Sequence, residues 1–266
     1  MSSRPVLLAE LLDALQPLIL DTRHVYNIPI SGLTFDSRRV REGDLFVAIA
    51  GFRQDGHAFI PQALEKGAAA VVAEREVYAP GIPVVRVKDA RRALALLACR
   101  FFAHPSTQLN VIGITGTNGK TTATAMLHAI LAASGDGCGL IGTTEVITGQ
   151  QRLPARLTTP EAPEIQAYFR EMLETGLRYA VMEVSAQGIE LERVTGIVFA
   201  MGGITNVSID HLDFYPSLAA YTRTKGRFLG MVPPDKPVLA NADDPLSLTL
   251  AGAYHPDGIV TYAVDR

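Results

Sequence analysis

Apolar positions along the chain fall into two rhythms, and the rhythm changes near residue 105. In the first stretch the elements are short. Residues 5–14 carry apolar side chains at helical spacing and predict a short amphipathic helix. Residues 28–35 read as a strand, 41–44 as a turn and 45–49 as a short apolar strand. Residues 57–66 return to helical spacing and are stopped by Gly67. Strands follow at 68–72 and 83–87, then a helix at 90–102. This alternation predicts a small α/β domain.

Residues 104–108, His-Pro-Ser-Thr-Gln, form a polar, proline-containing link. Beyond it, near-continuous apolar runs alternate with helices. Strands are expected at 111–114, 179–184, 197–204, 238–240 and 259–264, although Gly202 and Gly203 weaken the third. Helices are expected at 120–133, 163–174 and 218–229, with another starting at 245–250. Apolar strands separated by helices imply a parallel sheet covered on both faces. The predicted organisation is therefore α/β throughout, with one domain at 1–105 and a mostly parallel-sheet domain at 106–266. The pattern stops at Arg266, directly after a strand, where an αβ repeat would continue. The second domain is accordingly expected to lack its carboxy-terminal part.

Composition narrows the classes. The 266 residues carry 24 Lys and Arg against 27 Asp and Glu, a formal charge of −3. Without a basic footprint, extended nucleic-acid binding is not expected. No run of about 18 apolar residues exists, so no membrane span is expected. The first apolar patch is broken by Glu10, Asp13 and Gln16, unlike a signal peptide. Two cysteines, Cys99 and Cys138, imply neither a disulfide framework nor a cysteine metal site. A soluble protein of a reducing compartment is the expectation.

The strongest chemical signal is Gly113-Ile114-Thr115-Gly116-Thr117-Asn118-Gly119-Lys120-Thr121-Thr122. It follows an apolar strand and opens a helix. Glycines turn the backbone so that its N–H groups face phosphate oxygens, and the helix dipole favours the anion. Lys120 has the reach for β- and γ-phosphates, and Thr121 can place its hydroxyl on Mg²⁺. Ile114 occupies the first glycine slot of the strict motif, so a glycine-rich turn beside a chance lysine is the plainer alternative. Glu183 ends the strand at 179–184. A carboxylate at a parallel strand's C-terminal end faces the ligand crevice and can bind Mg²⁺, or it can simply face solvent.

These residues resemble the Mur ligases, ATP-dependent amide-bond-forming enzymes of peptidoglycan synthesis. Thr115 to Thr122 is similar to their phosphate loop. Asn206 with Asp210-His211-Leu212-Asp213 resembles their N-x-x-x-D-H-L-D segment, and Asn241-Ala242-Asp243-Asp244 their N-x-D-D segment. Thr34-Phe35-Asp36-Ser37-Arg38 and Gly43-Asp44-Leu45-Phe46-Val47-Ala48 resemble the UDP-binding amino-terminal domain. Leu157-Thr158-Thr159-Pro160-Glu161 and Met182-Glu183-Val184-Ser185 are in the style of members that add a diamino acid to UDP-MurNAc-L-Ala-D-Glu.

The resemblance implies ATP and Mg²⁺, a UDP-MurNAc-dipeptide and a diamino acid as partners, a cytoplasmic setting and an acyl-phosphate intermediate. It assigns Gly116, Thr117, Asn118, Gly119, Lys120, Thr121, Thr122, Asn206 and Asn241 to ATP. It assigns Ser37, Arg38, Thr158, Thr159, Ser185 and Arg193 to the UDP-substrate. Thr121, Glu183 and His211 become metal ligands. Lys225, whose distance past His211 matches a lysine that the family carbamylates, becomes an anionic ligand or neighbour of the metal. Lys120, Glu183, His211 and carbamylated Lys225 are thereby the catalytic set. Plainer roles stand beside these: a surface helix lysine for Lys225, a loop-bonded ring for His211, caps or Asx turns for Asn206 and Asn241, and a helix start for Thr158-Thr159-Pro160. The segment Glu183-Val184-Ser185-Ala186-Gln187-Gly188 departs from the family's E-V-S-S-H-[GA]. That departure and the short chain leave room for a Mur-like ligase with a different acceptor, and the expected lack of carboxy-terminal residues leaves room for a short non-catalytic homologue that binds nucleotide or UDP-sugar.

Overall fold

The computed structural model describes residues 5–16, 18–23, 27–51, 54–208 and 214–264. The chain divides into two compact units, Met1–Ala103 and His104–Arg266. In the first, the elements run β1 (Val6–Leu7), α1 (Leu8–Leu12), β2 (Ile19–Arg23), β3 (Pro29–Ile30), β4 (Gly32–Thr34) and β5 (Asp44–Val47). They continue as α2 (Ile60–Glu65), β6 (Ala70–Ala73), β7 (Val84–Val87) and α3 (Ala90–Phe101). Five strands form a sheet in the order β2-β7-β6-β5-β4, parallel except for β2 at the edge, and β1 pairs with β3 in a separate antiparallel ribbon.

Period-two alternation gives this sheet two buried faces. Leu45 and Val47 pack with Leu8, Leu11 and Leu97 on one side. Phe46 packs with Val71, Ile60 and Ala63 on the other.

Several expectations are corrected here. The helix expected at 5–14 begins only at Leu8, because Val6 and Leu7 are extended and pair with β3. The single strand expected at 28–35 is two strands in different sheets. Ser31 between them donates its N–H to the Gly43 carbonyl at 2.9 Å, and the chain changes partner there. The helix expected at 57–66 opens as a 3₁₀ turn, Gly56–Phe59, capped by the Asp55 carboxylate. Strand β2 escapes the hydrophobic pattern because Ile-Leu-Asp-Thr-Arg is an edge strand with little to bury.

The second unit contains β8 (Asn110–Thr115), α4 (Lys120–Ala133), β9 (Cys138–Ile141), β10 (Glu145–Ile147), β11 (Arg152–Pro154) and α5 (Ala162–Glu174). Then come β12 (Tyr179–Glu183), α6 (Ala186–Glu190), β13 (Phe199–Ile204), α7 (Leu218–Leu229), β14 (Val238–Asn241), α8 (Pro245–Tyr254) and β15 (Ile259–Tyr262). The sheet order is β11-β10-β9-β12-β8-β13-β14-β15. Six strands from β9 to β15 are parallel; β10 and β11 add an antiparallel hairpin at one edge. The fold is thus α/β, as the alternation predicts.

Strand β13 forms despite its two glycines, because it is paired in parallel on both sides, with β8 and β14. The hairpin and α6 lie outside the sequence reading: their segments are too short to show a period. The core gathers Phe169, Met172, Phe199, Tyr221, Phe228 and Leu229 between helices and sheet. Strand β8 lies near the middle, and its C-terminal end opens into the loop that starts α4. Among the described residues no helix is long and apolar enough to cross a membrane.

Both cysteines are buried, and neither is in a disulfide. Burial pushes Cys99 up to about 12 and Cys138 up to about 11, from an ordinary value near 9.0. In the unfolded chain both ionise first, so stability falls as pH rises above that ordinary value and continues to fall until the folded thiols ionise. We expect the urea midpoint to drop between about pH 9 and pH 11, and a thiol reagent at about pH 8 to label the cysteines only at the rate of unfolding. Rapid labelling of the folded chain contradicts this.

Candidate functional site

The loop after β8 is built to expose its backbone. Gly116 has φ +145° and Gly119 φ +83°. At Gly116 a Cβ would lie 1.9 Å from Thr205 Oγ1, so only glycine permits this loop to lie against the end of β13. Asn206 holds the loop from the other side. Its Oδ1 accepts the Asn118 N–H at 3.0 Å and its Nδ2 donates to the Asn118 carbonyl at 3.1 Å. The Thr117 N–H donates to the Asn206 carbonyl at 2.9 Å. Helix α4 starts at Lys120 with Gly119 as its cap residue and no side-chain cap. Its first-turn N–H groups, including those of Thr121 and Thr122, have no acceptor inside the helix and face the loop mouth.

Two lysines meet at one oxygen. Lys120 Nζ donates to the Gly116 and Thr117 carbonyls, each at 2.8 Å, and Lys225 Nζ donates to the Gly116 carbonyl at 2.7 Å. Lys225 is 1% exposed, so it is not the surface lysine that composition alone would allow. Its ammonium lies 4.4 Å from the centroid of the Tyr221 ring, whose hydroxyl is 3.3 Å from Thr117 Oγ1. Thr117 Oγ1 also accepts the Ser208 N–H at 3.0 Å. Helix α7 thereby supports the loop from below through two residues one turn apart, Tyr221 and Lys225.

The opposite wall is acidic. Glu183 ends β12 with no solvent exposure. Its Oε1 accepts the Thr143 N–H at 2.8 Å, and its Oε2 accepts the hydroxyls of Thr143 and Thr121, each at 3.0 Å. Thr143 lies in the turn between β9 and β10. A Cβ on its neighbour Gly142 would come within 2.9 Å of Glu183 Oε1, so the turn needs glycine to close on the carboxylate. Thr143 Oγ1 is also 3.2 Å from Thr158 Oγ1.

Next to this wall, Thr159 is fully buried and donates to the Glu183 carbonyl at 2.9 Å. Its Oγ1 is 3.0 Å from Ser185 Oγ and accepts the Ser185 N–H at 2.9 Å. Ser185 caps α6 by accepting the Gly188 N–H. Arg193 donates to the Thr159 carbonyl at 3.1 Å and pairs with Glu161 at 2.7 Å, both side chains being largely buried. Its charge is therefore answered within the protein. Ala186 is buried and Gln187 exposed. Asn241 takes the Asx-turn role, accepting the Asp243 N–H at 2.9 Å while donating to the Thr205 carbonyl at 3.0 Å. Asp244 caps α8 and also accepts the Val207 N–H at 3.1 Å, which fixes the strand leaving Asn206. His211 and its neighbours 209–213 lie outside the described residues.

In the first unit, Ser37 and Arg38 follow β4. Ser37 is buried and donates to Gln62 Oε1 at 2.6 Å. Arg38 is exposed and pairs with Asp36 at 2.8 Å; the guanidinium's hydrogen bonds hold the Asp36 carboxyl below its usual value. Asp55, after β5, is held at about 2 by the His57 backbone N–H and ring. His57 Nε2 accepts the Glu74 N–H at 3.2 Å, so the ring proton is on Nδ1, 2.6 Å from Asp55.

A family model described as the Mur ligase middle domain matches residues 114–266, more than half of the chain. A second, described as the Mur ligase family catalytic domain, matches residues 29–102. The chain belongs to the Mur ligase family. Its relatives within that family include a UDP-N-acetylmuramoyl-L-alanyl-D-glutamate–2,6-diaminopimelate ligase of Chlorobium phaeobacteroides, 42% identical over 87% of this chain and 46% of that protein. A UDP-N-acetylmuramyl-tripeptide synthetase of a Roseiflexus species is 43% identical over 82% of this chain and 46% of its own. A solved structure of a UDP-N-acetylmuramoyl-L-alanyl-D-glutamate–2,6-diaminopimelate ligase superposes with TM-score 0.80 at 26% identity, over 100% of this chain and 53% of that one. A MurF from Acinetobacter baumannii shares the fold at TM-score 0.72 and 24% identity, over 98% of this chain and 54% of that one. The chain spans about half the length of the curated Mur relatives it matches.

Read as a Mur-type site, the donor set fits Mg²⁺. Among the described residues no three His, Cys, Asp or Glu side chains gather into a closed metal cage. One carboxylate with two hydroxyls, at the mouth of a phosphate loop, is the sparse oxygen set that Mg²⁺ takes together with phosphates and water. The sequence reading missed Thr143 and Tyr221. Thr143 follows Gly142 in an unremarked turn, and nothing in its local pattern marks it. Tyr221 precedes Lys225 by one helical turn, a spacing that could have flagged it.

Asn206→Ala removes both bonds to Asn118. For a half-buried side chain we expect a loss of about 1–2 kcal/mol in urea unfolding with an unchanged m-value. No change in midpoint contradicts the clamp.

Proposed function

We propose that this chain carries the nucleotide and UDP-substrate sites of an ATP-dependent ligase that adds a diamino acid to UDP-MurNAc-L-Ala-D-Glu in peptidoglycan synthesis, in the cytoplasm. The observation that carries the reading is the convergence of the phosphate loop, the buried Glu183 carboxylate and the buried Lys225 amine within one unit. The relatives whose names state this activity support it.

In this reading the γ-carboxylate of D-glutamate takes the γ-phosphoryl group of ATP, and the amine of the diamino acid then displaces phosphate. Lys120 exchanges its loop carbonyls for phosphate oxygens. The first-turn N–H groups of α4 hold the same anion, and Asn206 and Asn241 border the adenine side. Thr121 and Glu183 are the groups that would hold Mg²⁺, with His211 toward a second ion. Bound there, the metal supplies charge neutralisation for two anions brought together.

Lys225 presents a buried amine beside a second ammonium group. Carbon dioxide adding to its neutral amine forms an N–C bond and releases a proton, and the carbamate anion relieves that repulsion. Thr158, Thr159, Ser185 and Arg193 line the peptide side, with Arg193 meeting an anionic substrate only by sharing or leaving Glu161. Ser37 and Arg38 belong to the uridine-diphosphate side. An acceptor other than UDP-MurNAc-L-Ala-D-Glu is the second reading; it is favoured by Gln187, exposed where the family pattern has histidine.

Calorimetric titration of the folded chain with UDP-MurNAc-L-Ala-D-Glu separates the two. Saturable micromolar binding supports the first reading, and no binding by a folded chain moves the assignment to another acceptor. Ser37→Ala with Arg38→Ala should weaken that binding while sparing ATP. Lys120→Ala should weaken ATP binding about 10- to 100-fold, the worth of one charge-assisted contact to phosphate. In active ligase, Lys225→Ala should cut turnover, with partial rescue by a short-chain carboxylic acid; unchanged turnover removes the carbamate.

A further inference from the structure

Thr143 touches both halves of the site described above. Its N–H and its hydroxyl grip the two oxygens of Glu183, and its hydroxyl lies 3.2 Å from that of Thr158. A hydroxyl has one proton, and a carboxylate only accepts. The Thr143 proton is drawn to the charged oxygen, the stronger acceptor. The same hydroxyl is placed to donate to Thr158 Oγ1 instead, so its one proton has two alternative acceptors. The result is a hydroxyl chain, Thr158–Thr143–Glu183, in which the Thr143 proton serves either end, and the Glu183 end is the oxygen shared with Thr121 of the phosphate-loop helix. Thr143 is exposed at the site mouth, so the chain is open to ligands.

We propose that Thr143 is a positioning residue that couples the nucleotide–metal side of the site to the peptide-substrate side through this hydroxyl chain. The inference rests on the reading of Glu183 as the metal-side group and Thr158 as a substrate-side group. Any cation or nucleotide that draws on Glu183 Oε2 weakens it as an acceptor. The Thr143 proton is then released toward Thr158 Oγ1, which accepts it and turns its own proton outward. Occupancy on one side is thereby felt on the other, and linkage requires the effect to be reciprocal. The backbone N–H of Thr143 is indifferent to substitution, so the hydroxyl can be removed while half of the grip on Glu183 stays.

The test measures binding, not turnover. The affinity of the chain for UDP-MurNAc-L-Ala-D-Glu is titrated with and without saturating Mg²⁺ and a non-hydrolysable ATP analogue. In the wild type we expect the two affinities to differ about fivefold or more. In Thr143→Val the ratio should fall toward one; in Thr143→Ser, which keeps the hydroxyl, it should return. Thr158→Val should also lose the ratio, which keeps the proposal falsifiable if Thr143→Val does not fold. A wild-type ratio of one, or a ratio retained in either valine variant, overturns the coupling. A folded wild type that binds neither the nucleotide analogue nor the UDP-substrate overturns the underlying site reading and the coupling with it.

Discussion

A carboxylate with no solvent exposure must be solvated by the protein itself, and Glu183 is placed under that constraint at the end of β12. Leaving it unpaired would cost several kcal/mol. Three donors meet the demand: the hydroxyls of Thr121 and Thr143 and the Thr143 N–H. They come from two separate places in the chain. Thr121 belongs to the helix after β8, Thr143 to the turn after β9. Satisfying one charge therefore pins the start of α4 and the β9–β10 turn to the same point. Gly142 is the local consequence, since a side chain there would occupy the space of the carboxylate.

A second meeting point sits across the loop, where the Gly116 carbonyl accepts from both Lys120 and Lys225. The carbonyl is available because Gly116 adopts φ +145°, which turns the peptide away from the strand direction. Asn206 and Tyr221 hold the loop so that this turn persists. One wall of the mouth is thus a solvated anion and the other a pair of cations that donate to loop carbonyls. That polarity suits a ligand that brings phosphate to the cations and a divalent cation to the carboxylate. The parallel sheet supplies the frame, because β8 and β12 end side by side.

The phosphate loop was legible in the sequence because its glycines, lysine and threonines are contiguous, and the strand before and helix after are long enough to show their periods. The position of Glu183 was legible at the level of a strand end. Thr143 was not, because its partner is 40 residues away along the chain. Lys225 shows the same limit differently: its helix period does not say which face packs inward, and only the fold buries it. Arg193 was read from its resemblance as a substrate contact; the fold adds Glu161 as its partner, an ion pair that no local spacing announces.

Sequence alone determined the α/β alternation, the phosphate loop and the turn chemistry around it, because these rest on local periodicity and on residues close in the chain. It also misjudged local detail at residues 28–35, where one apolar run serves two sheets. Tertiary structure decided which strands neighbour which, which charges are buried and which hydroxyls meet. Those outcomes depend on desolvation and on hydrogen-bond partners brought together only when the sheet is assembled. A buried charge selects its donors in space, and the chain order carries no record of that choice.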